Sequence, residues 1–493
     1  MNSIAYQPEF RPVLPTVFGA KDYQEFRKVL VEMDHILAKT GIEHRLISEK
    51  IAEQGNGASE AQVQNMYRRY RSGFRYSILL AITGYSYREL SIRATDSQLF
   101  CWFTFTEQLG VIRPLSKSSL ERYEKLFSDE QLNMLIHDLN RGVADERQVN
   151  ELLYQEAVLK MDTIFADTTC VKANMHFPVD WVLLRDAART LMKAIMLIRK
   201  QGLYHRIGDP QTFLRKMNKL CIEMTHTRKK KGADTARKVV LRRMKKLMKI
   251  VEQHGKNYVQ LLKDRFEETD WSEAEAQVVL NRMESVLTQL PAAVAQAHER
   301  IIGKRRVANK DKILSLYEKD IRVIVRGKAG AEVEFGNGLY LAEQENGLIV
   351  DWKFIKEQPP GDNKLVAESI ERLAEHYGTV TSYAADRGFD SKDNSIDLEK
   401  LQIINGICPR SVKALEQKLE DEVFCQLQTR RGATEARIGI FKNAYLGKPL
   451  RSKGFSHRST RIHWCIFAHN LWKLATMAAE NRKALEEEAQ KAS

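Results

Sequence analysis

No run of about 18 uninterrupted apolar residues occurs in these 493 residues, so no segment is expected to cross a membrane as a helix. The opening stretch MNSIAYQPEFRPVLP lacks a basic start followed by an apolar core, and the expectation is a soluble, cytoplasmic protein. Cysteine is sparse: Cys101, Cys170, Cys221, Cys408, Cys425 and Cys465 form no CxxC pair, which argues against a disulfide framework or a zinc knuckle and for reduced, mostly buried thiols. No heptad seam marks a coiled-coil dimer. Acidic charge is in deficit, since 64 Asp and Glu face 78 Lys and Arg, leaving a formal charge of +14. That excess favours a polyanionic partner, because cations that neutralise phosphates release condensed counterions. Ribosomal and membrane-surface proteins are basic too, so charge by itself leaves the class open.

The length suggests about three domains, and 43% hydrophobic residues suffice for more than one core. From about residue 20 to 150 the apolar spacing is helical, as in YQEFRKVLVEMDHILAKTG and DEQLNMLIHDLNRGV. Between these segments, aromatics interleave with Arg68, Arg69, Arg71, Arg75, Arg88 and Arg93, and Ser116 or Ser118 offers an N-cap after Pro114. Two readings fit: a helical DNA-binding domain that enters a groove, or a bundle with a solvated basic face. Next, VLKMDTIFADTTCV predicts a short strand ending in Asp167, and Asp180 is read as the N-cap of a long helix. Helical spacing then continues to about residue 300 and carries a basic block of Arg228, Lys229, Lys230, Lys231, Arg237, Lys238, Arg242, Arg243, Lys245, Lys246 and Lys249, offset only by Asp234. So dense a run repels itself unless an anion lies against it, and contact with backbone phosphates is the expectation.

Past residue 303, DIRVIVRGKAGAEVEFGNGLYLAEQENGLIVDWKFIKE predicts several short strands, with Gly336, Gly338 and Asn346-Gly347 as turn signals and the last pair a hairpin tip. NKLVAESIERLAEHYG predicts an amphipathic helix stopped by Gly378, and VTSYAAD another strand ending at Asp386. The order fits an α+β fold, a mixed sheet flanked by helices, with ligands beyond the strand ends.

Asp167, Asp386 and Glu435 are the candidate chemistry. Cleaving a phosphodiester needs an activated water or hydroxyl and a stabilised leaving oxygen against an anionic substrate, and two Mg²⁺ ions held by a few carboxylates supply both. Two strand-end aspartates and one helical glutamate can bring three chain-distant carboxylates together. On a regular helix Arg431, Glu435 and Lys442 fall within about 40° of one another, with Ala433, Ala436, Ile440 and Ala444 roughly opposite as the expected packing face. Blander readings stand beside each residue: an Arg431/Glu435 surface pair, a strand-end turn at Asp386-Arg387-Gly388, and a capping acid at Asp167. Asp351, Asp390, Glu332 and Glu334 lack the combination of strand-end position and small or polar neighbours.

Several blocks in order resemble a bacterial insertion-sequence transposase of the DDE superfamily, most similar to the ISNCY type. FADTTCVKANMHFPVDWVLL resembles the first-aspartate block, GKAGAEVEFGNGLYLAEQENGLI the hairpin after it, YAADRGFDSKDN the second-aspartate block, TRRGATEARIGIFKNAYLG the glutamate block and AHNLWKLA the closing helix. The resemblance implies an RNase H-like catalytic fold in residues 157–190 and 303–475, split by a basic helical insertion at 191–302, with an N-terminal helical DNA-binding domain at 1–156 and a charged helical tail at 476–493. It implies cleavage and strand transfer dependent on two Mg²⁺ ions, Mn²⁺ substituting, held by Asp167, Asp386 and Glu435. The implied partners are double-stranded DNA, both transposon ends and target, and a second copy of the chain, with nucleoid association in a bacterial cytoplasm. Arg431 and Lys442 match the arginine and lysine of a Tyr-Arg-Glu-Lys signature that contacts phosphates, with Arg228, Lys229, Lys230, Lys231, Arg242 and Arg243 as further DNA contacts. Gln428 stands at the tyrosine position of that signature, so a hairpin route relying on the tyrosine is not implied. Rival readings are a domesticated DNA-binding or architectural protein on the same fold and a metal-dependent nuclease without transposition.

Overall fold

A computed structural model of the chain describes residues 11–54, 57–108, 110–227, 232–328 and 331–492. Helices α1 (Lys21–Thr40), α2 (Ile42–Gln54), α3 (Glu60–Thr83), α4 (Tyr87–Asp96) and α5 (Gln98–Thr104) come first, followed by a small hairpin of β1 (Glu107–Gln108) and β2 (Val111–Ile112). Then come α6 (Lys117–Glu124), α7 (Asp129–Ala144), α8 (Val149–Leu153) and strand β3 (Thr163–Lys172). Four long helices follow, α9 (Asp180–Lys200), α10 (Pro210–Thr227), α11 (Ala233–Arg265) and α12 (Glu273–Ile301), before β4 (Arg322–Lys328), β5 (Ala331–Gln344) and β6 (Ile349–Ile355). The remainder is α13 (Val366–Tyr377), β7 (Ser382–Ala385), α14 (Lys392–Lys400), β8 (Ile404–Ile407), α15 (Val412–Lys418), α16 (Glu422–Ile440) and α17 (Phe455–Ala492). The class is mixed α+β, with β3 to β8 in one mixed sheet. Among the described residues no helix is long and apolar enough to cross a membrane.

The chain divides into two compact units. The first comprises residues 1–172, 338–355 and 359–493, and the second 173–337 and 356–358, so the helices before residue 157 share a unit with the sheet strands β3, β7 and β8. In the first unit β3, β7 and β8 run parallel, Ala166 beside Ala385 and Ala385 beside Ile407, while β6 pairs antiparallel with the second half of β5. One core joins the sheet to the helices, including Leu30, Phe74, Leu135, Ile164, Tyr340 and Trp464. Helix α17 runs through it. Arg461 donates to Glu124 Oε1 (2.8 Å) and to the Leu80 carbonyl (2.8 Å), and Asn470 bonds both the N–H and the C=O of Ile349 (3.0 and 2.8 Å). Burial works to raise the Glu124 carboxyl, but Arg461, His457 and Tyr87 outweigh it and hold the carboxyl at about 2, well below its ordinary range. The second unit is a helical bundle in which α11 turns Val240, Leu241, Met244, Met248 and Val251 inward at three- and four-residue steps. There β4 pairs antiparallel with the first half of β5.

Several expectations hold. Asn346-Gly347 tips the β5–β6 hairpin, Gly378 ends α13, and Ser116 caps α6 through the Ser119 N–H. Cys101, Cys170, Cys221 and Cys465 are buried and all six thiols are free. Others need correction. β5 runs straight through Gly336 and Gly338: the first pairs with Arg322 on β4 and the second with Ile355 on β6, so the ladder passes from one neighbour to the other without a turn. β3 continues five residues beyond Asp167, to Lys172, since its pairing is not confined to the short strand β7. β8 was not foreseen at all; INGI is too short and too polar for a periodicity to show. Asp180 is the first residue of α9 and does not cap it; its Oδ1 accepts from Gln296 (2.9 Å) and Arg300 (2.8 Å) inside the second unit.

Arg75 is no groove-reading residue. It is 3% exposed in α3, donating to both carboxylate oxygens of Glu43 (2.8 and 2.7 Å) and to Asp34 (2.6 Å). Those carboxylates outweigh its burial and hold the guanidinium firmly charged. Replacing one partner of such a set strands the remaining charges in a poor solvent. Arg75→Met is expected to lower unfolding free energy by about 3–5 kcal/mol in chemical denaturation; an unaltered midpoint would contradict the structural role.

Candidate active site

The register of β3 and β7 sets the site. Parallel strands carry their carboxyl ends the same way, and pairing stops at Ala166 beside Ala385, so Asp167 and Asp386 follow side by side. Asp386 opens a single 3₁₀ turn, and its Oδ1 accepts from the Gly388 N–H (2.8 Å). A Cβ at Gly388 would lie 2.8 Å from Asp362 Oδ2 and 2.9 Å from Asp386 Oδ1, so only glycine fits this turn. Asp362 is thus a further carboxylate close by, and PPGDNK gave no periodic or strand-end signal for it. Asp390 accepts from the Arg410 N–H (2.8 Å), and the Arg410 guanidinium donates to the Arg387 and Gly388 carbonyls (2.9 Å each), bracing the same loop. Asp351, by contrast, is engaged by the fork of Arg372 (2.8 Å twice).

Helix α16 brings the third acid. Leu427 packs on Phe165 and Ala384, setting the helix over the sheet. Its packing face differs from the helical-wheel expectation: Thr434, Ile438 and Phe441 are buried, whereas Ala433, Ala436, Ile440 and Ala444 are exposed. Two causes act. The larger side chains gain more from burial than alanines do, and a π-helical turn, Phe441–Leu446, changes the period after Ile440. A buried carboxylate, Glu343 on β5, grips the inward face, its Oε1 accepting from Thr434 (2.7 Å), Arg430 (3.0 Å) and Arg437 (3.1 Å).

Asp167 lies within the field of the other two acids. The Asp167 carboxyl is pushed up to about 6, first by burial, then by the charges of Asp386 and Glu435; its own Thr168 N–H and the Arg431 guanidinium oppose the rise. Lys442 reaches the same strand, Nζ donating to Thr169 Oγ1 (2.8 Å), two residues along the face that carries Asp167. Arg431 is held by Gln428, its Nε donating to Gln428 Oε1 (3.0 Å). Among the described residues no group of three or more His, Cys, Asp or Glu side chains is gathered closely enough to hold a metal ion. The donor chemistry nonetheless suits hard divalent cations: the groups are carboxylates, partly exposed at strand ends, and their mutual repulsion would be relieved by positive charge.

The other expected phosphate contacts divide. Arg242 is exposed on α11, while Arg243 is engaged by Glu223 (2.8 and 2.9 Å); Arg228, Lys229, Lys230 and Lys231 lie outside the described residues. Comparison with protein-family models, with curated proteins and with solved structures found no match.

Because folding raises the Asp167 pKa above its ordinary 3.8, the protonated acid favours the fold; that contribution is complete below about pH 4 and lost as pH rises through about 6. In chelator-treated buffer, Asp167→Asn should therefore be more stable than the parent by up to about 3 kcal/mol near pH 8, the gap closing toward pH 4. A pH-independent difference in denaturation midpoint would show that the carboxylates do not share one field.

Proposed function

We propose that the chain is a DNA transposase of DDE type, cutting and joining transposon ends on an RNase H-like catalytic fold. The observation that carries this reading is the parallel register that sets Asp167 and Asp386 next to each other just past the paired residues Ala166 and Ala385; burial, and then the charges of Asp386 and Glu435, raise the Asp167 carboxyl. Order of elements supports it too: parallel strands supply two aspartates just past the point where their mutual pairing ends, and a late helix supplies the glutamate. Two Mg²⁺ ions, or Mn²⁺ in their place, would supply an activated oxygen nucleophile and relief of charge on the leaving oxygen. Asp167, Asp386 and Glu435 would hold the ions. Arg431 and Lys442, beside the acids, orient phosphate oxygens for in-line displacement. The tight framework keeps these groups at fixed spacing, so little reorganisation is needed when substrate arrives.

Along α11, Lys238, Arg242, Lys246 and Lys249 fall on one arc of about 80°, in steps of about 5–6 Å. None of the four makes an ion pair with another described residue. This ridge is the expected track for duplex phosphates, binding without regard to sequence. The protein would act as a dimer in the bacterial cytoplasm on nucleoid DNA, since two ends are processed together.

Asp386→Asn should abolish Mg²⁺-dependent cleavage of labelled duplex bearing the terminal inverted repeats that bracket the coding region, with duplex binding nearly intact; retained cleavage sinks the assignment. For the ridge, changing all four cations to glutamine should reduce the slope of log binding constant against log salt by about 3–4, whereas Arg243→Gln should change it little. Equal slopes for the parent and the fourfold variant would remove the ridge from the DNA interface.

A further inference from the structure

Gln428 lies two turns before Glu435 on α16, and its amide is almost fully used. Nε2 donates to the carbonyls of Ala385 (3.2 Å) and Gly406 (2.5 Å), while Oε1 accepts from Arg431 Nε (3.0 Å). Each partner matters to the site. Ala385 is the last residue of β7 and immediately precedes Asp386; Gly406 belongs to the neighbouring parallel strand β8; Arg431 moderates the charge at Asp167. The close approach depends on Gly406, where a Cβ would come within 3.0 Å of Leu427 Cδ1 and of Ala384 Cβ. A helix that near the strand ends leaves room for a side chain that bonds across the gap. It leaves none for slack.

We infer that Gln428 is a positioning residue, a bracket that sets the spacing between the strand end carrying Asp386 and the helix carrying Glu435 and aims Arg431 at Asp167. Two donors and one acceptor at one end of a side chain are what the three partners require, and a primary amide supplies them together. Tyrosine, the residue of the resembling signature at this place, has a single O–H and could not serve both carbonyls and the guanidinium. In this chain the position is therefore committed inward, to the framework, and is not free to contact DNA. The consequence for cleavage rests on the transposase reading above; the bracket itself rests on the three hydrogen bonds.

The test uses the full chain and Mn²⁺ alone as probe, followed by its free-ion paramagnetic resonance signal, beside single-turnover cleavage of end duplex at saturating Mn²⁺. Gln428→Met keeps shape and charge while removing every hydrogen bond. It is expected to bind duplex like the parent and to fold, but to lose about 10–100-fold in Mn²⁺ affinity or in cleavage rate. Adding Arg431→Met to it should lower neither further, because the arginine is already unaimed. A lower melting temperature with parental Mn²⁺ affinity and parental rate would make Gln428 merely structural and overturn the inference. Should Gln428→Met fail to fold, Gln428→Asn, which keeps the amide but is too short to reach both carbonyls, is expected to show a smaller loss of the same kind; parental values there overturn it equally. The outcomes separate the two claims. Parent protein whose Mn²⁺ binding is insensitive to Asp386→Asn contradicts the metal site and the bracket's purpose together, whereas sensitive binding with an unaffected Gln428→Met contradicts the bracket alone.

Discussion

Like charges held near one another away from bulk water repel, and in this chain the repulsion is concentrated on Asp167. Burial first disfavours its ionised form, and Asp386 and Glu435 add to the penalty. Left to relax, three such side chains would turn outward or their elements would separate. The surrounding structure opposes this from two sides of one helix. Buried Glu343 draws Arg430, Thr434 and Arg437 toward β5, and Gln428 ties the same helix to the ends of β7 and β8. A helix gripped on both flanks cannot swing Glu435 away without breaking charge-assisted hydrogen bonds.

The positions of the three acids were legible in the sequence for different reasons. Asp386 follows a four-residue apolar strand and precedes Arg-Gly, a combination that reads as a strand end, and the structure has it there. Asp167 was expected to end its strand, but the strand runs on to Lys172; what ends there is the pairing with β7, which lies more than two hundred residues away in sequence and has no local signature. Glu435 was placed on a helix correctly, but the inward face was assigned to alanines. Thr434 is buried because its hydroxyl reaches Glu343, a long-range partner that a helical wheel does not contain. Asp362, Glu343 and Gln428 were missed as participants for the same reason: their roles exist only through contacts across the fold.

Arginine and lysine proved least readable. Arg75 and Arg93 sit in similar aromatic, basic surroundings in sequence, yet the first is buried against two carboxylates and the second is exposed. Arg242 and Arg243 are adjacent, and only the second meets Glu223. A run of positive charge therefore separates, once folded, into cations that neutralise the protein's own acids and cations left for a partner. Net charge pointed to a polyanion but could not divide one set from the other, because the division depends on which helix faces which.

Asp167, Asp386 and Glu435 are proposed to form one cation site. Anomalous diffraction from crystals of the full chain soaked in Mn²⁺ tests it directly, since the signal locates the metal without reference to activity. Anomalous density in contact with Asp167 and with Asp386 or Glu435 is the expected result. Mn²⁺ bound elsewhere, with no density beside Asp167, would contradict it.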